Sequence, residues 1–262
     1  MKELLREFFG FGGYVRPADG AYSLKHIINV AVFVGVSLAL AIFLGLRNRK
    51  RDSRKKNIPL VVSAILIDTL EIIKIVIACV KGGSLRPILY NLPLFFCSIQ
   101  LITIPLAAFS KGRLKEAAVD FVFAFGLLGG VFGIVGAAQN YNAYPAFSWD
   151  NIVSAATHSI SAFASLYIGL SKIFTLKMKN LPICEALLGF FVTAALIINP
   201  IIGYNYMFLV SHDGTPYSIF YNMVGGNPIL YPMIVILIFV LWIVIYYVIA
   251  RALSVKKSRK NQ

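Results

Sequence analysis

Apolar residues run along this chain in long blocks, broken at fairly regular intervals by short polar, mostly basic segments. Windows of about 20 apolar residues, the length a helix needs to cross a hydrocarbon core of about 30 Å, fall at 24–46, 58–80, 87–109, 117–138, 151–171, 183–209 and 229–250. The pattern predicts an all-α, polytopic membrane protein with about seven transmembrane helices. Residues 1–23 form an N-terminal segment, 24–250 the seven-helix domain and 251–262 a basic tail. Leu4, Leu5, Phe8 and Phe9 fall mostly on one side of a short N-terminal helix and Lys2, Glu3, Arg6 and Glu7 on the other. That helix would lie on the membrane surface, or fray.

Composition supports the same class. With 58% hydrophobic residues, 14% charged residues and a mean hydropathy of +0.77, a soluble globule of 262 residues would lack the polar surface to cover itself. The net charge of +14 does not point to nucleic acid, because the basic residues cluster between apolar runs. Arg47 to Lys56, Lys111 to Lys115, Lys172 to Lys179 and Arg251 to Lys260 occupy alternate connections. By the positive-inside rule these are cytoplasmic, so the N-terminus is outside, the C-terminus inside, and the location the cell membrane. The first apolar run lacks the short core and cleavage site of a secretory signal and is read as a retained span.

Polar residues inside the apolar runs are the candidate chemistry, since ionisable groups are costly in lipid. In 58–80, Asp68, Glu71 and Lys74 are three apart and share a side. Each charge near mid-membrane costs about 2.5–3.5 kcal/mol on insertion scales, so they must pair or face a cavity. In 151–171, Ser154, His158, Ser161 and Ser165 form one stripe that should face the bundle interior. The stretch "YNLPLFFCSIQ" at 90–100 adds Asn91, Cys97 and Gln100, and "INPIIGYNYMFL" adds Asn199, Asn205 and Tyr206. Pro200 should bend its helix and expose backbone groups there. On straight helices Cys97, His158 and Glu71 come to similar depth. Gly126 and Gly130, and Gly129 and Gly133, are spaced for close helix packing, and no chemistry attaches to them.

Each feature has a plainer reading: Cys97 as a small packing residue, His158 as a buried histidine bonded to serines, and Glu71–Lys74 as an intrahelical bridge. Cys79, Cys97 and Cys184 form no metal-binding pair, and His26, His158 and His212 are scattered, so neither metal nor cofactor is expected. No phosphate-binding loop, HExxH or GxSxG occurs.

"LPLFFCSI", the histidine in "THSISAFASLYIG", and "GYNYMFL" resemble, in order and spacing, the YwaF-type bacterial integral membrane proteins, over roughly residues 25 to 250. That group is similar to eukaryotic transmembrane acyltransferases that use a membrane-embedded cysteine and histidine. The resemblance implies Cys97 as nucleophile, His158 as its base, and Asn205 and Tyr206 as cavity groups. Phe95 and Phe96 depart from the pattern, which carries a polar residue before the cysteine. Two functions follow as expectations. One is a thiol-dependent acyltransferase or hydrolase acting on a membrane lipid or lipid-like substrate, with Glu71, Asn91, Gln100, Ser154, Ser161, Asn199, Asn205 and Tyr206 binding it. The other is a non-enzymatic carrier of small solutes or a ligand-binding receptor, which accounts better for Asp68, Glu71 and Lys74.

Overall fold

The computed structural model describes residues 2–135 and 138–260, and every regular element among them is helical. The side chains of Lys2 and Leu4 and those beyond Leu253 lie outside the described set, as do Gly136 and Ala137 of the expected 117–138 run. In chain order the α-helices are α1 (Lys2–Phe9), α2 (Leu24–Asn48), α3 (Ser53–Gly82), α4 (Arg86–Tyr90), α5 (Gln100–Phe109), α6 (Gly112–Val135), α7 (Ala138–Ala143), α8 (Trp149–Ser171), α9 (Leu181–Ile202), α10 (Ser218–Met223) and α11 (Leu230–Lys260).

Local chemistry sets several ends. Ser23, Asp52 and Ser148 accept an amide N–H of the first turn and start α2, α3 and α8. Gly203, left-handed at φ 64°, stops α9 three residues after Pro200. The expected bend in a run to residue 209 is therefore replaced by a helix end, followed by an irregular segment with a short 3-10 turn at Tyr206–Phe208.

Among the described residues, five helices are long and apolar enough to cross a membrane: Leu24–Asn48, Gly112–Ala143, Trp149–Ser171, Met178–Ile202 and Leu230–Leu253. The protein is thus a multi-pass helical membrane protein. The two other expected runs differ instructively. At 58–80, α3 is a 30-residue helix, but it carries Asp68, Glu71 and Lys74. The run 87–109 is not one helix: α4 ends at Tyr90, α5 begins at Gln100, and 91–99 is non-helical. Pro93 cannot donate to a helical ladder, and the backbone groups around it find other partners, as shown below.

α6 lies between two apolar cores. One joins Phe121, Phe125, Phe191, Phe239 and Tyr247 with the irregular segments, and Phe96 stacks there on Phe239 at 4.1 Å. The other joins Leu60, Ile67, Ala107, Val122 and Tyr167 of α3, α5, α6 and α8. At the end of the bundle where the basic loops gather, Tyr167 bonds to Asn48 and Lys56, and Lys177 pairs with Glu116. There the buried Asp120 accepts bonds from the amides of Thr175 and Leu176 and the hydroxyls of Thr175 and Tyr247. At the opposite end the N-terminal segment folds back. Phe8 and Phe9 pack on Trp149, Gly20 N–H donates to the Tyr141 carbonyl, and Asp19 accepts from Ala146 N–H and Lys25. α1 thus turns aromatic side chains to protein.

Candidate functional site

The polar residues of 90–100 build a turn. Asn91 Nδ2 donates to the Pro87 carbonyl at 2.7 Å, ending α4. The Ser98 hydroxyl accepts the Phe95 N–H at 2.9 Å and donates to the Phe95 carbonyl at 3.1 Å. From across the molecule the buried Tyr206 hydroxyl accepts Leu92 N–H and donates to the Leu89 carbonyl. Non-helical backbone at membrane depth is tolerated where such partners satisfy it. Cys97 lies in this turn, three residues before the start of α5.

α8 brings His158 to the same place. Its Nδ1 donates to the Ser154 carbonyl at 2.6 Å, one turn back. The proton of a neutral ring therefore sits on Nδ1, which leaves the Nε2 lone pair free. The Cys97 thiol lines the same cavity as the ring. The glycine face of α6 makes this approach possible. A Cβ on Gly129 would stand 3.2 Å from Cys97 Cα, and one on Gly130 2.6 Å from the His158 carbonyl. Further along, Gly126 faces Ser161 and Ser165, whose hydroxyl bonds to the Phe123 carbonyl. The spacing of these glycines predicted close packing; what packs on them is the stripe of α8 and the cysteine turn.

Cys97 and His158 open onto a cavity of about 240 Å³ whose walls also include Glu71, Lys74, Asn91, Ser154 and Thr157. Lys74 Nζ lies 2.5 Å from Glu71 Oε1, so the expected intrahelical bridge is made, and it is made in the cavity wall. Asp68 is half-buried on the same helix and is not part of that wall.

The remaining candidates separate. Asn199 and Asn205 line a second cavity of about 740 Å³, on the far side of Phe95 and Tyr204, which both cavities share. Both amides are engaged there: Asn199 exchanges bonds with the Tyr206 backbone, and Asn205 ties down Val210, Ser211 and Asp213. Tyr206 lines neither cavity; it holds the turn that carries Cys97. Gln100 and Ser161 are buried, and Gln100 accepts from Thr103. Sequence reasoning passed over Tyr204 and the glycines as chemistry. The interval of seven from Gly126 to Gly133 repeats that from His158 to Ser165, in reverse order along the two helices, but only the paired helices show the match.

A family model, that of the TMEM164 family, matches residues 21–246. That span covers every residue of both cavities. No curated protein and no solved structure matches the chain. The name the matching model carries is not YwaF.

Proposed function

This chain belongs to the TMEM164 family, and on that footing we propose that it is a membrane-embedded, thiol-dependent acyltransferase acting on a lipid acyl ester. The observation that carries the reading is that Cys97 and a His158 ring whose Nδ1 is held by the Ser154 carbonyl line one cavity. A free thiol ionises at about 8.5 and burial in apolar surroundings raises that further, so a nucleophilic cysteine here needs an adjacent base.

In this reading His158 Nε2 takes the Cys97 proton as the sulfur adds to the ester carbonyl. The resulting oxyanion finds its donors among the amides of the turn around Cys97, which lies outside a helix. Collapse breaks the acyl C–O bond, and the leaving alkoxide takes the proton from His158, leaving a thioester on Cys97. An acceptor hydroxyl then gives its proton to Nε2, attacks the thioester and releases the thiolate, which regains the proton. Water as acceptor would make the same site a hydrolase.

The polar atoms of 90–100 stand in an apolar setting because the substrate does too. α3 and the broken pair α4–α5 complete seven crossings in this proposal, with the N-terminus outside, and the lipid enters from the outer leaflet of the cell membrane. The test is capture of the thioester with an alkyne-tagged lipid ester on purified protein. Label is expected on Cys97 in the wild type and in Cys79→Ala and Cys184→Ala, and lost in Cys97→Ala and His158→Ala.

The Glu71–Lys74 pair favours a second reading, a carrier or receptor in which these charges hold a polar solute. Lipid label that ignores both Cys97→Ala and His158→Ala, with solute binding that needs Lys74, would select it.

A further inference from the structure

The larger cavity differs in chemistry from the one that holds Cys97. In a chain with 25 Lys and Arg against 11 Asp and Glu, its wall contains, among the described residues, a single charged side chain, and that one is the carboxylate of Asp213. The rings of Phe95, Tyr204 and Phe208 form much of the remaining wall, with Phe95 centred 5.8 Å from Tyr204 and 5.9 Å from Phe208.

The carboxylate is held in place. Asn205 Nδ2 donates to its Oδ2 at 2.8 Å and the Ser211 hydroxyl to its Oδ1 at 2.5 Å. Each oxygen keeps a lone pair for a ligand. Two of these wall residues also sit in left-handed backbone, Phe208 at φ 56° and Asp213 at φ 44°. Neither is glycine, so the surrounding structure must enforce their placement.

An aromatic wall facing a hydrogen-bonded carboxylate, with no cationic side chain among the described residues of the wall, suits an organic cation. We propose that the cavity between Phe95, Tyr204, Phe208 and Asp213 binds an ammonium group, quaternary or primary. The rings receive its carbon-bound face and Asp213 its charge. Because Phe95 and Tyr204 also wall the Cys97 cavity, a molecule whose ammonium rests here extends its other end toward Cys97. Binding does not require acyl transfer, so Cys97→Ala is expected to bind as the wild type does.

Two sources carry this group, the headgroup of a zwitterionic lipid and a free amine. The test is titration of purified protein in neutral detergent with dihexanoylphosphatidylcholine, dihexanoylphosphatidylglycerol and choline, read by calorimetry. The choline lipid is expected to bind about tenfold more tightly than the glycerol lipid of equal chain length. Asp213→Asn should weaken the choline lipid about fivefold and leave the glycerol lipid unchanged. Phe208→Leu, which leaves the carboxylate in place, should weaken it about threefold. Competition by choline alone assigns the site to a free cation; choline lipid binding without that competition assigns it to a headgroup. Equal affinity for the two lipids, no binding of the choline lipid, or wild-type affinity in both variants overturns the proposal. Lipid labelling at Cys97 is scored separately, so either reading can fail without the other.

Discussion

Gly133 of α6 and His158 of α8 meet so closely that a Cβ on the glycine would stand 1.8 Å from the imidazole Cδ2 and 2.1 Å from Nε2. No rotation of a methyl group relieves such an overlap, so with an alanine there the ring or the helix that carries it must shift. A displacement of about 1 Å costs a positioned catalytic group on the order of 100-fold. Gly133→Ala is therefore expected to slow thioester formation at Cys97 about 100-fold with helix content unchanged by circular dichroism. Gly189→Ala in α9, where a Cβ meets nothing within 4 Å, should leave the rate as it is.

The Glu71–Lys74 pair sets up a second test. Removing one partner of a poorly hydrated pair strands the other, at a cost of about 3–5 kcal/mol. Lys74→Met should lower the thermal midpoint clearly, and Glu71→Gln added to it should restore most of the loss. A single variant as stable as the wild type at neutral pH would show that the pair is hydrated and interchangeable with bulk ions.

At the basic end, Asp120→Ala removes the acceptor of four hydrogen bonds from Thr175, Leu176 and Tyr247. Leaving those donors buried costs about 1–3 kcal/mol each where no water replaces the carboxylate. The expected outcome is a large drop in thermal midpoint together with an unchanged labelling rate at Cys97 in the fraction that remains folded. A rate that fell with stability would tie the loop after α8 to the reaction.

Acid should release the N-terminal segment. Lys25 and the Ala146 amide hold the Asp19 carboxyl below its usual range. A depressed value in the folded state means that the contribution is present above the unfolded value of about 3.9 and is lost as the pH falls below it. Trp149 fluorescence, in a Trp242→Phe background, reports the docking of Phe8 and Phe9. It should shift on acidification below about pH 4, and Asp19→Asn should remove that part of the shift.

Topology has its own measurement. Tags placed in the Arg47–Lys56 loop should be protected in intact cells and tags before Leu24 accessible, since alternate loops hold most of the basic residues. The reverse pattern would move the Cys97 cavity to the other leaflet.

Much of the helical layout was legible because burial in lipid writes itself as uninterrupted apolar length. The run 151–171 and the helix Trp149–Ser171 differ by only two residues. The run 87–109 misled because apolar length does not distinguish a helix from a turn in which the Leu92 amide and the Leu89 carbonyl find distant partners. Tyr206, more than 100 positions away, provides those partners. The polar stripe of α8 was visible by spacing, and so were the glycines of α6; their pairing was not, because period alone does not say which helix faces which. Asn199 and Asn205 were grouped with Cys97 on the premise of a continuous helix, and Gly203 ends that helix before Asn205 is reached. Phe95 and Tyr204 then divide the space.

The ten residues of α5 also bear on how the molecule is made. At 1.5 Å per residue they cover about 15 Å, half of a hydrocarbon core. During synthesis such a segment partitions poorly by itself and waits for α6, which follows after a two-residue link and packs against it. The nascent chain therefore carries its thiol on a stretch that is settled only when later helices arrive. His158 emerges some sixty residues after Cys97, so in the proposed mechanism the thiol would meet its base only once α6 and much of α8 have been made. On that proposal, the order of synthesis would withhold the base from the cysteine until the helices that confine it exist.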